Sequence, residues 1–292
     1  MSKKKRKQSS SVSERVIGDF AGRPVRVIIV VISLIVILFP LYWLIANSLR
    51  TKTDYLANPP ILFNAPVTFQ NYQKILVENG IYKQFANTFV VAAVSTVIAV
   101  VFGSMAAYST VRGRIAKKIR NFFGLWFMIQ KMYPAIATAI PVYLVMRHMR
   151  LIDTRFALII MNTSFNLPLV IWLMMGFFEQ IPLELEESAK IDGANFVQRF
   201  FRIVFPVTTP GIIASAILAF VGAWNEFLFA VILSVNRSKT LPVVIAGFIT
   251  DRGLEWGPMA ATAVITLLPI LVVVWALQKN FVQGLAMGAV KG

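Results

Sequence analysis

Six stretches of the chain stay apolar for about the ~20 residues that a helix needs to cross a bilayer. They lie at 26–48, 87–110, 122–146, 156–178, 211–235 and 259–278. In hydrocarbon each backbone amide and carbonyl must be satisfied within the protein, so each run is predicted as a helix. The expected fold class is an all-α membrane protein with six transmembrane helices. Composition agrees, since only 14% of residues are charged, against roughly 25% in soluble domains. The first apolar run is too long, and lacks the small-residue cleavage site, for a removable signal peptide. With no cysteine in the chain, neither disulfides nor thiol-ligated metals are possible.

A net charge of +16 would suit a nucleic-acid partner, but its placement fits topology better. Basic residues gather around the start of span one (Lys3, Lys4, Lys5, Arg6, Lys7, Arg15, Arg23, Arg26), between spans two and three (Arg112, Arg114, Lys117, Lys118, Arg120), between spans four and five (Lys190, Arg199, Arg202) and after span six (Lys279, Lys291). The alternate loops hold fewer. The positive-inside rule therefore puts both termini and the 179–210 loop in the cytoplasm, with no nucleic-acid role required. The expected organisation is a polar cytoplasmic arm at 1–24, a membrane domain at 25–280 and a cytoplasmic tail at 281–292.

Within the 179–210 loop, IPLELEESAKIDGANFVQRFFRIVFP (181–206) reads as a short helix-turn-helix. Pro182 suits a helix start, where no amide bond is lost. Glu184, Glu186 and Glu187 follow at the positive helix end. Asp192-Gly193 reads as a turn, Asn195 as the cap of a second helix and Pro206 as its stop. Charges mixed with Leu183, Ala189, Ile191, Phe196, Phe200 and Ile203 give a hairpin suited to docking on another protein.

Glu187-Ser188-Ala189, three residues, Gly193, nine residues, then Ile203-Val204-Phe205-Pro206 resembles the E-A-A, x3, G, x9, I-x-L-P signature of ABC-importer permeases. Ser188 stands for an Ala and Phe205 for the Leu. NSLRTKTDYLANPP…VTFQNY in the first exterior loop, Trp224-Asn225-Glu226 in span five and the tail FVQGLAMGAVKG are similar to stretches of maltose-type sugar permeases. The resemblance implies the second permease of a carbohydrate importer. Its partners would be a similar permease, two ATPase subunits, an extracytoplasmic solute-binding protein, the carbohydrate and membrane lipid. ATP and Mg would sit on the partner subunits, for this chain has no G-x-x-x-x-G-K-[ST] loop and binds no cofactor or metal. It would be no enzyme. Glu187, Ser188, Ala189, Asp192, Gly193, Ile203, Phe205 and Pro206 would form the coupling element.

The polar residues inside the spans are the substrate-path candidates. Lys131 in span three is costly at the midplane, by ~2.5–3.5 kcal/mol on insertion scales. It suits an ion pair, hydrogen bonds to carbonyls freed by Pro134, substrate contact or snorkelling. Asn162 and Asn166 in span four suit helix–helix bonding or cavity lining. Trp224, Asn225 and Glu226 suit a sugar, through an aromatic face and polar groups, or a packing role with Glu226 paired to Lys131. Two other readings stay open: an ion-coupled secondary transporter using Lys131 and Glu226, and an ABC permease for a non-sugar solute.

Overall fold

The computed structural model describes residues 23–113, 115–250 and 253–289; nearly all of the expected N-terminal arm lies outside them. The main helices are α1 (Arg23–Ser48), α2 (Tyr82–Arg112), α3 (Lys117–Met132), α4 (Ala139–His148), α5 (Arg155–Glu179), α6 (Leu183–Ile191), α7 (Phe196–Arg199), α8 (Thr209–Trp224), α9 (Leu228–Leu233), α10 (Leu241–Ala246) and α11 (Trp256–Ala289). Single helical turns at Lys52–Tyr55 and Gln70–Gln73 sit in the loop after α1. A small antiparallel ribbon, β1 (Ile249–Thr250) against β2 (Gly253–Leu254), departs from the all-α expectation. Helix α11 also continues through Ala289, past the expected end of the membrane domain at 280.

Among the described residues, four helices are long and apolar enough to cross a membrane: Val25–Ser48, Tyr82–Arg112, Arg155–Glu179 and Trp256–Gln278. They match the first, second, fourth and sixth apolar runs. The third and fifth runs are interrupted, which their composition conceals. Pro134 disfavours helical backbone at the residue before it, and Tyr133 is extended at φ −68, ψ 130. A 3₁₀ turn at Ala135–Thr138 follows before α4 starts. The fifth run breaks between Trp224 and Leu228, where Asn225 ends α8.

Helix α2 lies along both α5 and α8. Lipid tails are as apolar as Leu, so such helices associate through close packing, and small residues permit it. A Cβ on Gly103 would stand 2.8 Å from a Val170 methyl, and one on Gly211 would stand 2.5 Å from the Phe177 ring. Tyr108, Val170, Met174, Phe178, Phe200 and Val204 build the largest core cluster. Helix α1, by contrast, buries none of its apolar window. Helices α2 and α5 run in the same direction, from a pole made of long loops to a pole that carries the 181–207 hairpin.

Candidate functional site

The hairpin forms as its residues dictate. Helix α6 ends in a Schellman motif: the Gly193 amide donates to Lys190 O (3.1 Å) and the Ala194 amide to Ala189 O (2.9 Å). That closure needs a left-handed residue, and Gly193 has φ +84. Asn195 then caps α7. Its side chain accepts the Gln198 amide at 2.8 Å, and its own amide donates to Gln198 Oε1 at 2.9 Å, a reciprocal capping box. The helical path does not stop at Pro206 as expected. A π-helical turn at Phe200–Val204 carries it on to Val207, and the chain bends by 80° into α8 at Thr208.

The residue that fixes the hairpin to the bundle is Glu186, which the sequence reading placed merely among three acids at a helix start. Its side chain is 3% exposed. Glu186 Oε1 accepts Arg112 Nε at 2.7 Å, and Oε2 accepts the Tyr108 hydroxyl at 2.6 Å, with Arg199 Nη1 at 4.0 Å. Arg112 Nη2 also donates to Phe178 O (2.9 Å), in the last turn of α5, and to Ile181 O (2.6 Å), just beyond its end. The Tyr108 ring packs at a tilt against Phe196 and Phe200, at 4.6 and 5.1 Å between centroids. Such a pair is sensitive to loss of one member, because the other is left as a buried unpaired charge.

The expected coupling residues divide between two faces. Ala189 is buried, Ile203 and Phe205 are half-buried, and the Phe205 ring lies 5.7 Å from Phe200. Glu187, Ser188, Asp192, Gly193 and Pro206 are exposed. Ser188 Oγ donates to Glu184 O within the helix. Glu187 braces neither Arg199 nor Arg202; Glu186 takes the place beside Arg199. Around Glu187 the hairpin exposes Ile191 at 86%, Val197 at 59% and Leu183 at 53%. No neighbouring atom lies within 4 Å of a Cβ built on Gly193. A side chain there therefore does not push the two helices apart, and only its φ is restrictive.

In the membrane region Lys131, Asn162, Asn166 and Glu226 come together around a cavity of about 160 Å³, walled also by Ala135, Met161, Phe165, Gly222 and Phe229. Lys131 Nζ donates to Phe165 O at 3.1 Å. Asn162 Nδ2 donates to Leu158 O in its own helix, while Asn166 Nδ2 reaches Ala219 O in α8. Glu226 is not paired with Lys131. Its two oxygens accept the Phe229 and Ala230 amides at 2.7 and 3.0 Å, so the carboxylate caps α9. Trp224 lies outside the cavity: it is fully buried, with the indole NH on Thr266 O at 3.1 Å and its ring between Phe220 and Phe85. Asn225 is exposed, also outside the lining, and its amide nitrogen donates to Val221 O.

The loop pole holds polar residues that sequence reasoning passed over. Asp153, at φ +61, accepts the amides of Val235, Asn236, Arg237 and Ser238 at 3.0–3.1 Å. Partial burial raises its pKa, but these amides outweigh that and hold the carboxyl well below its usual range. Asn87 Nδ2 donates to Arg237 O and Lys239 O, and its Oδ1 accepts Arg155 Nε. Asn71 Nδ2 bridges Ser48 O and Arg50 O. Of the three, only Asp153 lies in a loop with left-handed backbone, where Asp is favoured; Asn71 and Asn87 lie in helices.

Residues 99–286 match the family described as binding-protein-dependent transport system inner membrane component. The trehalose transport system permease protein SugB of Mycobacterium tuberculosis is 36% identical over 87% of this chain and 93% of its own. The melibiose/raffinose/stachyose import permease protein MelC of Bacillus subtilis is 34% identical over 87% and 91%. The sulfoquinovosyl glycerol permease SmoH of Agrobacterium fabrum is 31% identical over 94% and 95%. Among solved structures, a bacterial ABC transporter involved in import of the acidic polysaccharide alginate superposes with a TM-score of 0.75. It covers 92% of this chain and 98% of that one at 24% identity, a likeness of fold. The chain thus belongs to the binding-protein-dependent transport system inner membrane component family, as a multi-pass permease subunit of an ABC importer and not an enzyme.

Proposed function

We propose that this permease serves an ATP-driven carbohydrate importer and that its 181–207 hairpin docks on a cytoplasmic ATPase subunit. The observation that carries this is the division of the hairpin into a locked base and a free face. Glu186 is bound and buried, while Glu187, Leu183, Ile191 and Val197 are exposed and leave a charged, apolar patch to be covered. The sugar assignment rests on relatives named for trehalose, melibiose and sulfoquinovosyl glycerol. A solved structure of similar fold, an alginate ABC transporter in complex with a pentasaccharide-bound periplasmic protein, supports a solute-binding partner; the loop pole is its proposed place. In this reading the six apolar runs are six spans, the third and fifth interrupted. A second permease completes the path, and two ATPase subunits hold ATP and Mg. The walls contributed here are Lys131, Asn162, Asn166 and Glu226; Trp224 packs helices together.

Co-purification of the ATPase with the permease tests the docking. Glu187→Ala is expected to weaken association, since a partner charge left buried and unpaired costs about 2–5 kcal/mol. Undiminished association would remove the hairpin from the interface. Orientation is tested separately, with a reporter that is active only outside the cytoplasm. It should be silent after Lys118 or Lys291 and active after Asn64 or Arg237.

A further inference from the structure

We infer that Tyr108, Arg112 and Glu186 form a latch that delivers the hairpin's movement to α2, and through α2 to both walls of the membrane cavity. This rests on the docking reading above and adds the route by which docking acts. The hairpin's two chain connections are poor levers. On one side, Gln180–Pro182 is a turn; on the other, Thr208 is the point of an 80° bend. A push on α6 could be absorbed at either hinge. The latch bypasses both, since Glu186 is held from two sides by side chains of the last turn and a half of α2. Arg112 fastens the end of α5 to the same point through two carbonyls.

The packing then says where the motion goes. Helix α2 lies against α5, with Gly103 on Val170, and against α8. Those two helices supply the cavity's Asn162, Asn166 and Gly222, and Glu226 follows directly after α8. Tyr108 itself sits in the core cluster that includes Phe178, Phe200 and Val204. The latch residues touch no substrate and lie off the exposed docking face, so they are positioning residues. Charge is useful here because a charge-assisted bond from Arg112 Nε to one Glu186 oxygen, with the Tyr108 hydroxyl on the other, fixes direction as well as distance. A greasy contact would allow sliding.

The test uses the complete importer, assembled with its partner subunits. This chain has no cysteine, so Ala135→Cys provides a reporter in the cavity wall on this subunit. Labelling by a small maleimide is timed without nucleotide and after trapping with ATP, Mg and vanadate. The parent is expected to change labelling rate at least fivefold between the two states. Glu186→Gln, which keeps size and one hydrogen bond, should bind the ATPase as the parent does yet change less than twofold. Tyr108→Phe, which leaves the ion pair intact, should fall between. A parent-like change in Glu186→Gln overturns the latch, and so does a loss of ATPase association in that variant, which would make Glu186 a support of the docking face. If Glu187→Ala leaves association intact while Glu186→Gln still blocks the change, the docking reading has failed and the latch stands. A parent whose rate does not respond to ATP sinks the latch and leaves the docking reading to the association measurement.

Discussion

At the loop pole, Asn71, Asn87, Thr88 and Asp153 tie together segments far apart in sequence, α2 to the 237–241 stretch and α1 to the 70–73 turn among them, through many separate hydrogen bonds. At the hairpin pole, the connection between α2 and α6 passes through one buried carboxylate. A frame with many independent bonds keeps its shape when one is lost. A joint gathered on one carboxylate, with the Tyr108 ring packed on Phe196 and Phe200 beside it, concentrates force at one place. The two poles are therefore suited to different work: the loops brace the path, and the hairpin moves it.

The most damaging change should be Arg112→Ala. It leaves Glu186 buried without its cation and removes the side-chain bonds to Phe178 O and Ile181 O, at a cost of about 3–5 kcal/mol. Thermal unfolding of the purified permease would show the loss. Limited proteolysis should find it at 181–207 while the loops stay resistant; early cleavage at 234–241 would break the contrast between the poles.

Asp153→Ala comes next, at about 1.5–3 kcal/mol, the range for hydrogen bonds to a charged group. It should loosen 234–241 and leave ATPase association untouched. The sign of its pH dependence follows from the depressed pKa. The native carboxylate's contribution is complete above its ordinary value of 3.8 and is lost only as pH falls further. The difference between wild type and Asp153→Ala should accordingly be flat from about pH 5 to 9, and a slope in that range would contradict the assignment.

Gly193→Ala should cost about 1–2 kcal/mol of backbone strain at positive φ, and Gly193→Asp no more than that, since Asp tolerates left-handed backbone and a Cβ there meets open space. Gly193→Asn should cost less, since Asn tolerates left-handed backbone. An Asp variant far worse than Ala would point to a contact at the hairpin tip, and so to a covered surface. The smallest effect, about 1 kcal/mol, is expected for Trp224→Phe, which loses the bond to Thr266 O. Uptake selectivity should not change; if it does, Trp224 faces the substrate path.

Much of the hairpin was legible because its punctuation is local: Asp192-Gly193 and Asn195 act within a few residues of themselves. Glu186 was not singled out, for which of three acids turns inward depends on Arg112, 74 residues earlier. Its spacing from buried Ala189, three positions along one helix face, was the only local hint. The interrupted third and fifth spans show the same limit. Apolar composition measured their length, while Pro134 and the capping carboxylate of Glu226 decided their continuity. Trp224 and Asn225 adjoin Glu226 in sequence, yet only Glu226 lines the cavity, because α8 ends there and the chain turns.

The most direct test of a free hairpin face on a braced frame is hydrogen exchange of the permease alone and bound to its ATPase. New protection should appear within 183–207, strongest around Ile191 and Val197, while 234–241 is already slow and does not change. Protection centred on the loop pole, or an unchanged 183–207 in the complex, would contradict the account.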